Sequence, residues 1–138
     1  MSEHVATVEW SRGDQPFLDN RYARAHDWRF DGGAVVRGSS APSALVPVPR
    51  SDPAAVDPEE ALVAALSSCH MLFFLAFAAR GGFIVDSYRD EAAGVLGRDE
   101  GGKTSITTVA PWRRVPSIFT KGVPSGMTMV TGMPSRPP

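Results

Sequence analysis

The sequence predicts an α+β fold, and three observations lead to that class. A single long apolar stretch carries a helix start signal at residue 57 and a glycine stop at residues 81–82. Short runs rich in aromatic and β-branched residues lie on both sides of it, and glycine-containing turns separate them in pairs. The 138 residues, with 43% hydrophobic and 21% charged residues, suit one soluble domain. One helix between two groups of strands is an α+β arrangement.

The first group of strands precedes residue 38. Residues 6–10 alternate between apolar and polar side chains, which is typical of a strand. The runs 28–30 and 34–36 flank Asp31-Gly32-Gly33, and a turn of this composition tolerates the positive φ of a tight hairpin. Residues 38–56 contain four prolines, so we expect an irregular connection there.

The helix signals are the clearest in the chain. Asp57 suits the cap, Pro58 suits the first helical position, and Glu60 stands three residues after the cap as the partner in a capping box. The helix is predicted to run to Arg80. Its middle is apolar on nearly every face, so protein must enclose it. Because one small domain can hardly cover such a helix, we expect an obligate dimer.

A membrane span is the alternative for residues 61–79, which are long enough to cross a bilayer as a helix. Ser67, Ser68, Cys69 and His70 would then lie at the bilayer centre, where polar groups cost most. No belt of Trp or Tyr flanks the stretch. A buried helix of a soluble protein is therefore the preferred interpretation, and we expect no membrane partner.

The second group of strands follows the helix. Residues 87–96 are predicted to form one strand of mixed polarity, after the short apolar run 83–85. Residues 98–103 have the composition of a turn, and the β-branched run 104–109 is the next strand. Together they predict a second hairpin.

Composition excludes several classes of function. A net charge of −1 argues against a nucleic-acid binder. One cysteine excludes an internal disulfide and a zinc cage of several thiolates, and the three histidines are isolated, so we expect no metal. The first residues lack the basic and apolar regions of a secretory signal. We therefore expect a cytoplasmic protein, in a compartment where a lone thiol stays reduced.

The residue with the most chemical potential is Cys69, in the middle of the predicted helix. One interpretation is a packed core cysteine, since free cysteine is often buried. The other is a reactive thiol, which needs a cationic neighbour such as Arg21 or Arg24 in the N-terminal loop. Glu60 takes the capping position at the helix start, so Glu59 has no capping role there. Ten residues separate Glu59 from Cys69, about 15 Å along a straight helix, so a bridging arginine, a bend or a partner subunit would have to join them.

The segment D-P-E-E-A-L-V-A-A-L-S-S-C from Asp57 to Cys69 resembles the Pro-Glu to Cys signature of the OsmC and organic hydroperoxide resistance family. The segments 19–33, 85–96 and 102–109 agree with it, so the resemblance covers about residues 5–109. It implies an intertwined homodimer in which strongly curved antiparallel sheets wrap long central helices. It also implies a thiol peroxidase that reduces organic or fatty-acid hydroperoxides with an external thiol or dithiol and no bound cofactor.

The resemblance also implies roles for particular residues. Cys69 occupies the peroxidatic position, Glu59 is the acid of the Pro-Glu motif, and an arginine of the N-terminal loop stabilises the thiolate. Arg24 is the preferred arginine and Arg21 the alternate. A non-catalytic domain that binds a hydrophobic molecule at the dimer interface, lined by Phe73, Phe74 and Phe77, is the second functional hypothesis.

The C-terminal part departs from the family pattern. The family's resolving cysteine lies in a C-terminal helix, whereas this sequence has no second cysteine. All 15 acidic residues precede residue 101, and half of the 12 prolines follow residue 110. We therefore divide the chain into an OsmC-like domain at 1–109 and an irregular Pro- and Met-rich tail at 110–138. An altered reading frame near residue 110 is one explanation, and sequencing the coding DNA tests it.

Overall fold

The α+β prediction is confirmed by a computed structural model that describes residues 3–110 and the backbone of residues 117–119. Within the described residues the chain forms two compact units that divide between Leu62 and Val63, inside the helix. The elements in chain order are β1 (Ala6–Glu9), β2 (His26–Phe30), β3 (Val35–Gly38), α1 (Pro58–Arg80), β4 (Ser87–Arg89), β5 (Ala93–Arg98), β6 (Thr104–Ala110) and β7 (Ser117–Phe119).

The first unit is built on an antiparallel sheet in the order β1-β2-β3. The predicted hairpin is confirmed: the Phe30 N–H donates to the Ala34 carbonyl at 3.0 Å, and Gly33 adopts φ 85° in the turn. Arg29 forms an exposed ion pair with Glu9 across the sheet. The hydrogen bond from the Arg29 side chain to Glu9, and then the charge of Glu9, raise the pKa of Arg29. Exposed pairs of this kind contribute little to stability.

The irregular connection predicted between β3 and the helix is also confirmed. It is tied to β3 at one point, where Gly38 bridges Val56 and the Ser39 N–H donates to the Val56 carbonyl at 3.1 Å. Ser39 and Ser51 are fully buried within this segment. The connection is therefore held in place although prolines prevent it from forming a regular element.

Both ends of α1 follow from local sequence. The Glu60 N–H donates to Asp57 Oδ1 at 2.8 Å and the Asp57 N–H to Glu60 Oε2 at 3.3 Å, which is the predicted capping box. At the other end Gly82 has φ 78°, its N–H donates to the Ala79 carbonyl, and the Phe83 N–H donates to the Ala78 carbonyl. This pairing is a Schellman motif, which needs a residue at positive φ.

The prediction of one strand over residues 87–96 is wrong. β4 pairs with β7 and β5 pairs with β6, in two separate two-stranded sheets. The pairing of β4 with β7 ends before Asp90 and Glu91. A break at these two residues is consistent with the depletion of acidic residues in strands. The Asp90 carboxylate instead accepts a hydrogen bond from the helix, from Ser67 Oγ at 2.6 Å. The hairpin β5–β6 is confirmed, with an irregularity between Val95 and Leu96.

The described chain has no fully buried hydrophobic side chain, and none of the residues of α1 is buried. The expectation of a buried central helix is therefore not met by the single chain. By length and composition α1 could cross a membrane, but core helices of soluble proteins pass the same test.

The division at residue 109 stays a prediction. Part of the predicted irregular tail forms β7, and its residues 111–116 and 120–138 lie outside the described residues. The altered reading frame near residue 110 stays a prediction.

Candidate functional site: the exposed face of the central helix

Within the second unit, one face of α1 is partly covered by the chain that follows the helix. The half-buried residues of this face follow helical spacing, and three of them contact the chain after the helix. Phe74 packs against Tyr88 with ring centroids 5.6 Å apart, Ser67 binds Asp90, and Val63 lies against Gly94. The half-buried residues of this face are Val63, Ser67, Met71, Phe74, Leu75 and Ala78. These contacts fix the rotation of the helix about its axis.

The opposite face is exposed, and Cys69 lies at its centre. Four apolar residues and Cys69 follow one another along the helix at intervals of four, three, four and four positions, so the five side chains form one stripe. Phe73 and Phe77 remain 60% and 62% exposed, and their rings stack with centroids 6.3 Å apart. We call this stripe the thiol face; it consists of Leu62, Leu66, Cys69, Phe73 and Phe77.

The thiol face shows how far the single chain itself covers Cys69. A cysteine packed in the core of its own domain would be buried, whereas Cys69 is exposed. The single chain therefore does not bury the thiol, and packing of Cys69 against a partner chain stays a prediction. Leu66 and Phe73, one turn before and one turn after the thiol, are apolar.

Glu59 stands in the first turn of α1 and is exposed. Its neighbour Glu60 takes the capping role, and the side chain of Glu59 has no hydrogen bond or ion pair with any other described residue. Helical geometry places Glu59 about 15 Å from Cys69 along the axis and about 80° around it.

Arg24 is held firmly in the N-terminal loop. Its Nη1 donates to the Tyr22 carbonyl at 2.6 Å, and its Nη2 donates to Asn20 Oδ1 at 2.8 Å. Its guanidinium carbon lies 3.7 Å from the centre of the Tyr22 ring, which is cation–π geometry. Arg21 is exposed, and its side chain makes no hydrogen bond or ion pair within the described residues.

The single chain does not pair Glu59 with Arg24 among its described ion pairs. The predicted set of Cys69, Glu59 and an arginine is therefore not assembled by the described chain alone, and its roles stay predictions. No group of metal-ligating side chains occurs among residues 3–110.

Two features of the site escaped sequence reasoning. The first is the set of hydrogen bonds that orders the Arg24 side chain within the predicted loop. The Asp19-Asn20 pair was a usable signal for it, because Asn20 adopts φ 59°, a conformation that Asn tolerates well. The second is the Ser67–Asp90 hydrogen bond, which joins residues 23 positions apart. No short-range sequence pattern predicts such a contact.

Comparison with known proteins adds one finding. No protein-family model matches the chain, and no curated protein matches it. Among solved structures, an OsmC-like protein of unknown function, VCA0330 from Vibrio cholerae, superposes with a TM-score of 0.83 and is 51% identical in sequence. The match covers 92% of this chain and 80% of that one. The chain belongs to the OsmC-like family. Because the function of this OsmC-like neighbour is itself unknown, the finding gives family and fold and leaves the activity to be argued from the residues.

Proposed function

We propose that this OsmC-like chain is a thiol-dependent peroxidase that reduces organic hydroperoxides in defence against oxidative stress. The observation that carries the proposal is the exposed thiol of Cys69 at the centre of an apolar stripe. Hydroperoxides with apolar substituents suit such a surface, since Phe73 and Phe77 lie one and two turns beyond the thiol and are open to contact.

The chemistry needs one thiol and an external reductant. The Cys69 thiolate attacks one oxygen of the hydroperoxide, the O–O bond breaks, and the other oxygen leaves as an alkoxide that takes up a proton. The sulfur is oxidised by two electrons to a sulfenic acid, and the hydroperoxide is reduced to an alcohol. An external dithiol then returns the sulfenic acid to the thiol, releasing water and forming its own disulfide. The sequence contains no second cysteine to perform this step internally.

An arginine near the thiol would favour the thiolate, and a carboxylate near the arginine would orient it. We assign these roles to Arg24 and Glu59, with Arg21 as the alternate. Arg24 suits a fixed electrostatic group because local hydrogen bonds already order it. Arg21 suits a group that moves on substrate binding because nothing described holds its side chain.

We propose that the active form is a homodimer. Three members of the thiol face, Leu66, Phe73 and Phe77, are about half exposed or more, at 48%, 60% and 62%. Soluble proteins rarely leave an apolar stripe of this kind in water. A second copy of the helix would cover part of the stripe and leave an apolar pocket through which the hydroperoxide reaches the thiol. The same association would allow Arg24 and Glu59 of one chain to approach the Cys69 thiol of the other. We place the protein in the cytoplasm, where dithiol reductants are available.

The test measures loss of cumene hydroperoxide in the presence of a dithiol, with the wild type beside Cys69→Ser and the matched neighbour variant Ser68→Ala. We expect Cys69→Ser to fall to the uncatalysed rate and Ser68→Ala to keep most of the activity. Equal rates for wild type and Cys69→Ser would refute the proposal. A wild type that consumes one equivalent and stops would show that sulfenic acid forms but that the dithiol supplied does not resolve it.

Binding of a hydrophobic molecule without catalysis is the second candidate. The stacked and exposed rings of Phe73 and Phe77 favour it. It predicts saturable binding of an apolar probe that Phe73→Ala weakens and Cys69→Ser leaves unchanged, together with no peroxide turnover.

A further inference from the structure

Hydrogen bonds fix both backbone groups of Arg24. Its N–H donates to the Arg50 carbonyl at 2.7 Å, and its carbonyl oxygen lies 2.8 Å from Nδ1 of His26. The first contact joins two backbones, whereas the second comes from the side chain of a residue in β2. His26 therefore bonds directly to the backbone of the residue that carries the proposed activating guanidinium.

The contact between His26 and Arg24 assigns the position of the ring hydrogen. A carbonyl oxygen only accepts hydrogen bonds, so Nδ1 of His26 carries the hydrogen and donates it. Nδ1 carries this hydrogen in one neutral tautomer and also in the imidazolium form. The contact therefore anchors the Arg24 backbone in both charge states of the ring.

The imidazole ring of His26 is itself held by the sheet. His26 is half-buried at the start of β2 and pairs with Gly38 of β3. Its ring lies against Trp28, with the ring centroids 5.8 Å apart. Nε2 lies 2.7 Å from the point where a Cβ at position 38 would stand, so glycine leaves the room that the ring needs. The sheet therefore sets the position of the Nδ1–H donor.

The contacts of Arg24 fall into two groups. Those of its side chain go to Tyr22 and Asn20, two and four residues earlier in the same loop, and Arg50 Nη1 joins them by donating to the Asn20 backbone oxygen at 3.4 Å. Those of its backbone go to Arg50 and His26, outside that stretch. Local bonds therefore order the guanidinium within the loop, and the backbone contacts place the loop in the first unit. The contact from His26 comes from a side chain and can be removed by substitution.

We propose that His26 is a positioning residue for the peroxidase reaction. Its Nδ1–H fixes the Arg24 carbonyl, and through it the guanidinium that stabilises the Cys69 thiolate. The inference rests on the proposed function for the role of Arg24. His26 exchanges no proton with the thiol in this role and acts only through the arginine. A misplacement of about 1 Å can cost up to about a hundredfold in rate, so one anchoring hydrogen bond has a measurable effect.

A pair of variants separates the hydrogen bond from the packing of the ring. His26→Leu removes the donor, whereas His26→Asn keeps an N–H on a side chain branched like that of leucine. Both lose the ring that lies against Trp28, so a purely structural role would affect both alike. We expect kcat/KM for cumene hydroperoxide to fall about tenfold in His26→Leu and to recover most of this loss in His26→Asn. Equal kcat/KM values in the two variants would overturn the proposal. His26→Phe, which keeps a ring against Trp28 and has no donor, gives the same comparison in a chain that retains the ring packing.

The double variant His26→Leu/Arg24→Gln shows whether the effect passes through the arginine. If it does, His26→Leu should change kcat/KM by less than about twofold once Arg24 is replaced. The same fold-loss in both backgrounds would refute the proposal.

Alkylation of the Cys69 thiol by iodoacetamide gives a readout that needs no turnover. The pH at which the alkylation rate is half-maximal should rise by about 0.5–1 unit in His26→Leu and much less in His26→Asn, because a displaced guanidinium stabilises the thiolate less. The same midpoint in wild type and His26→Leu would contradict the positioning role. Equal peroxide consumption by wild type and Cys69→Ser would instead refute the proposed function, and the alkylation profile would then decide on His26 by itself.

Discussion

Replacing Gly94 by alanine tests whether the face of α1 opposite the thiol is packed as described. A Cβ at position 94 would lie 2.6 Å from Cγ2 of Val63. Carbon atoms in contact are normally about 3.5–4.0 Å apart, so the overlap is about 1 Å. Valine in a helix has one strongly preferred rotamer and cannot swing aside. Overpacking of this kind costs about 1–3 kcal/mol.

The assay is urea unfolding at a fixed chain concentration, with Gly32→Ala as the matched control. An added Cβ at Gly32 meets nothing within 4 Å, and its φ is not positive. We expect Gly32→Ala to be neutral or stabilising by about 0.5 kcal/mol, because alanine restricts the unfolded chain. A loss of about 2 kcal/mol in Gly94→Ala would lower its urea midpoint by about 1 M for a typical denaturant slope.

The double variant Val63→Ala/Gly94→Ala completes the cycle. Removing the two methyl groups of Val63 makes room for the new Cβ, so the second substitution should cost less in this background, by about 0.5–3 kcal/mol. If Gly94→Ala unfolds at the same urea concentration as Gly32→Ala, or if Val63→Ala gives no relief, the helix does not pack on β5 as described.

Two further predictions concern the first unit and the helix start. Gly38→Ala would place a Cβ 2.7 Å from His26 Nε2, so its thermal midpoint should fall below that of Gly32→Ala; equal midpoints would contradict the contact between β2 and β3. Asp57→Ala removes the side-chain acceptor of the Glu60 N–H and should cost about 1 kcal/mol in urea unfolding, while Asp57→Asn, which keeps an acceptor, should lose much less; equal losses would argue against the capping box.

Local chemistry made the helix predictable from the sequence. Asp57, Glu60 and the glycines at 81–82 each act within one turn of their partners, so the bounds of α1 could be predicted from adjacent residues alone. The two hairpins were predictable for the same reason, because Gly33 and the turn before β6 act locally.

Contacts between distant segments were not predictable in this way. The break between β4 and β5 depends on Asp90 meeting Ser67 across the fold, and alternation of side chains over residues 87–96 contains no sign of it. The convergence of Arg24 and Arg50 on Asn20 is likewise set by how the loop folds back.

The sequence by itself determined the elements, the family resemblance and the identity of Cys69 as the one thiol available. It also indicated that other protein segments must pack around the helix, because apolar residues occupy nearly all of its faces. Only the tertiary structure decided which face is covered by the chain itself. Val63, Ser67 and Phe74 contact the chain that follows the helix, and Cys69 therefore lies on the exposed side. The physical reason is that a sequence fixes the angles between side chains around a helix, whereas the rotation of that helix against its neighbours is chosen by contacts between segments far apart in the chain.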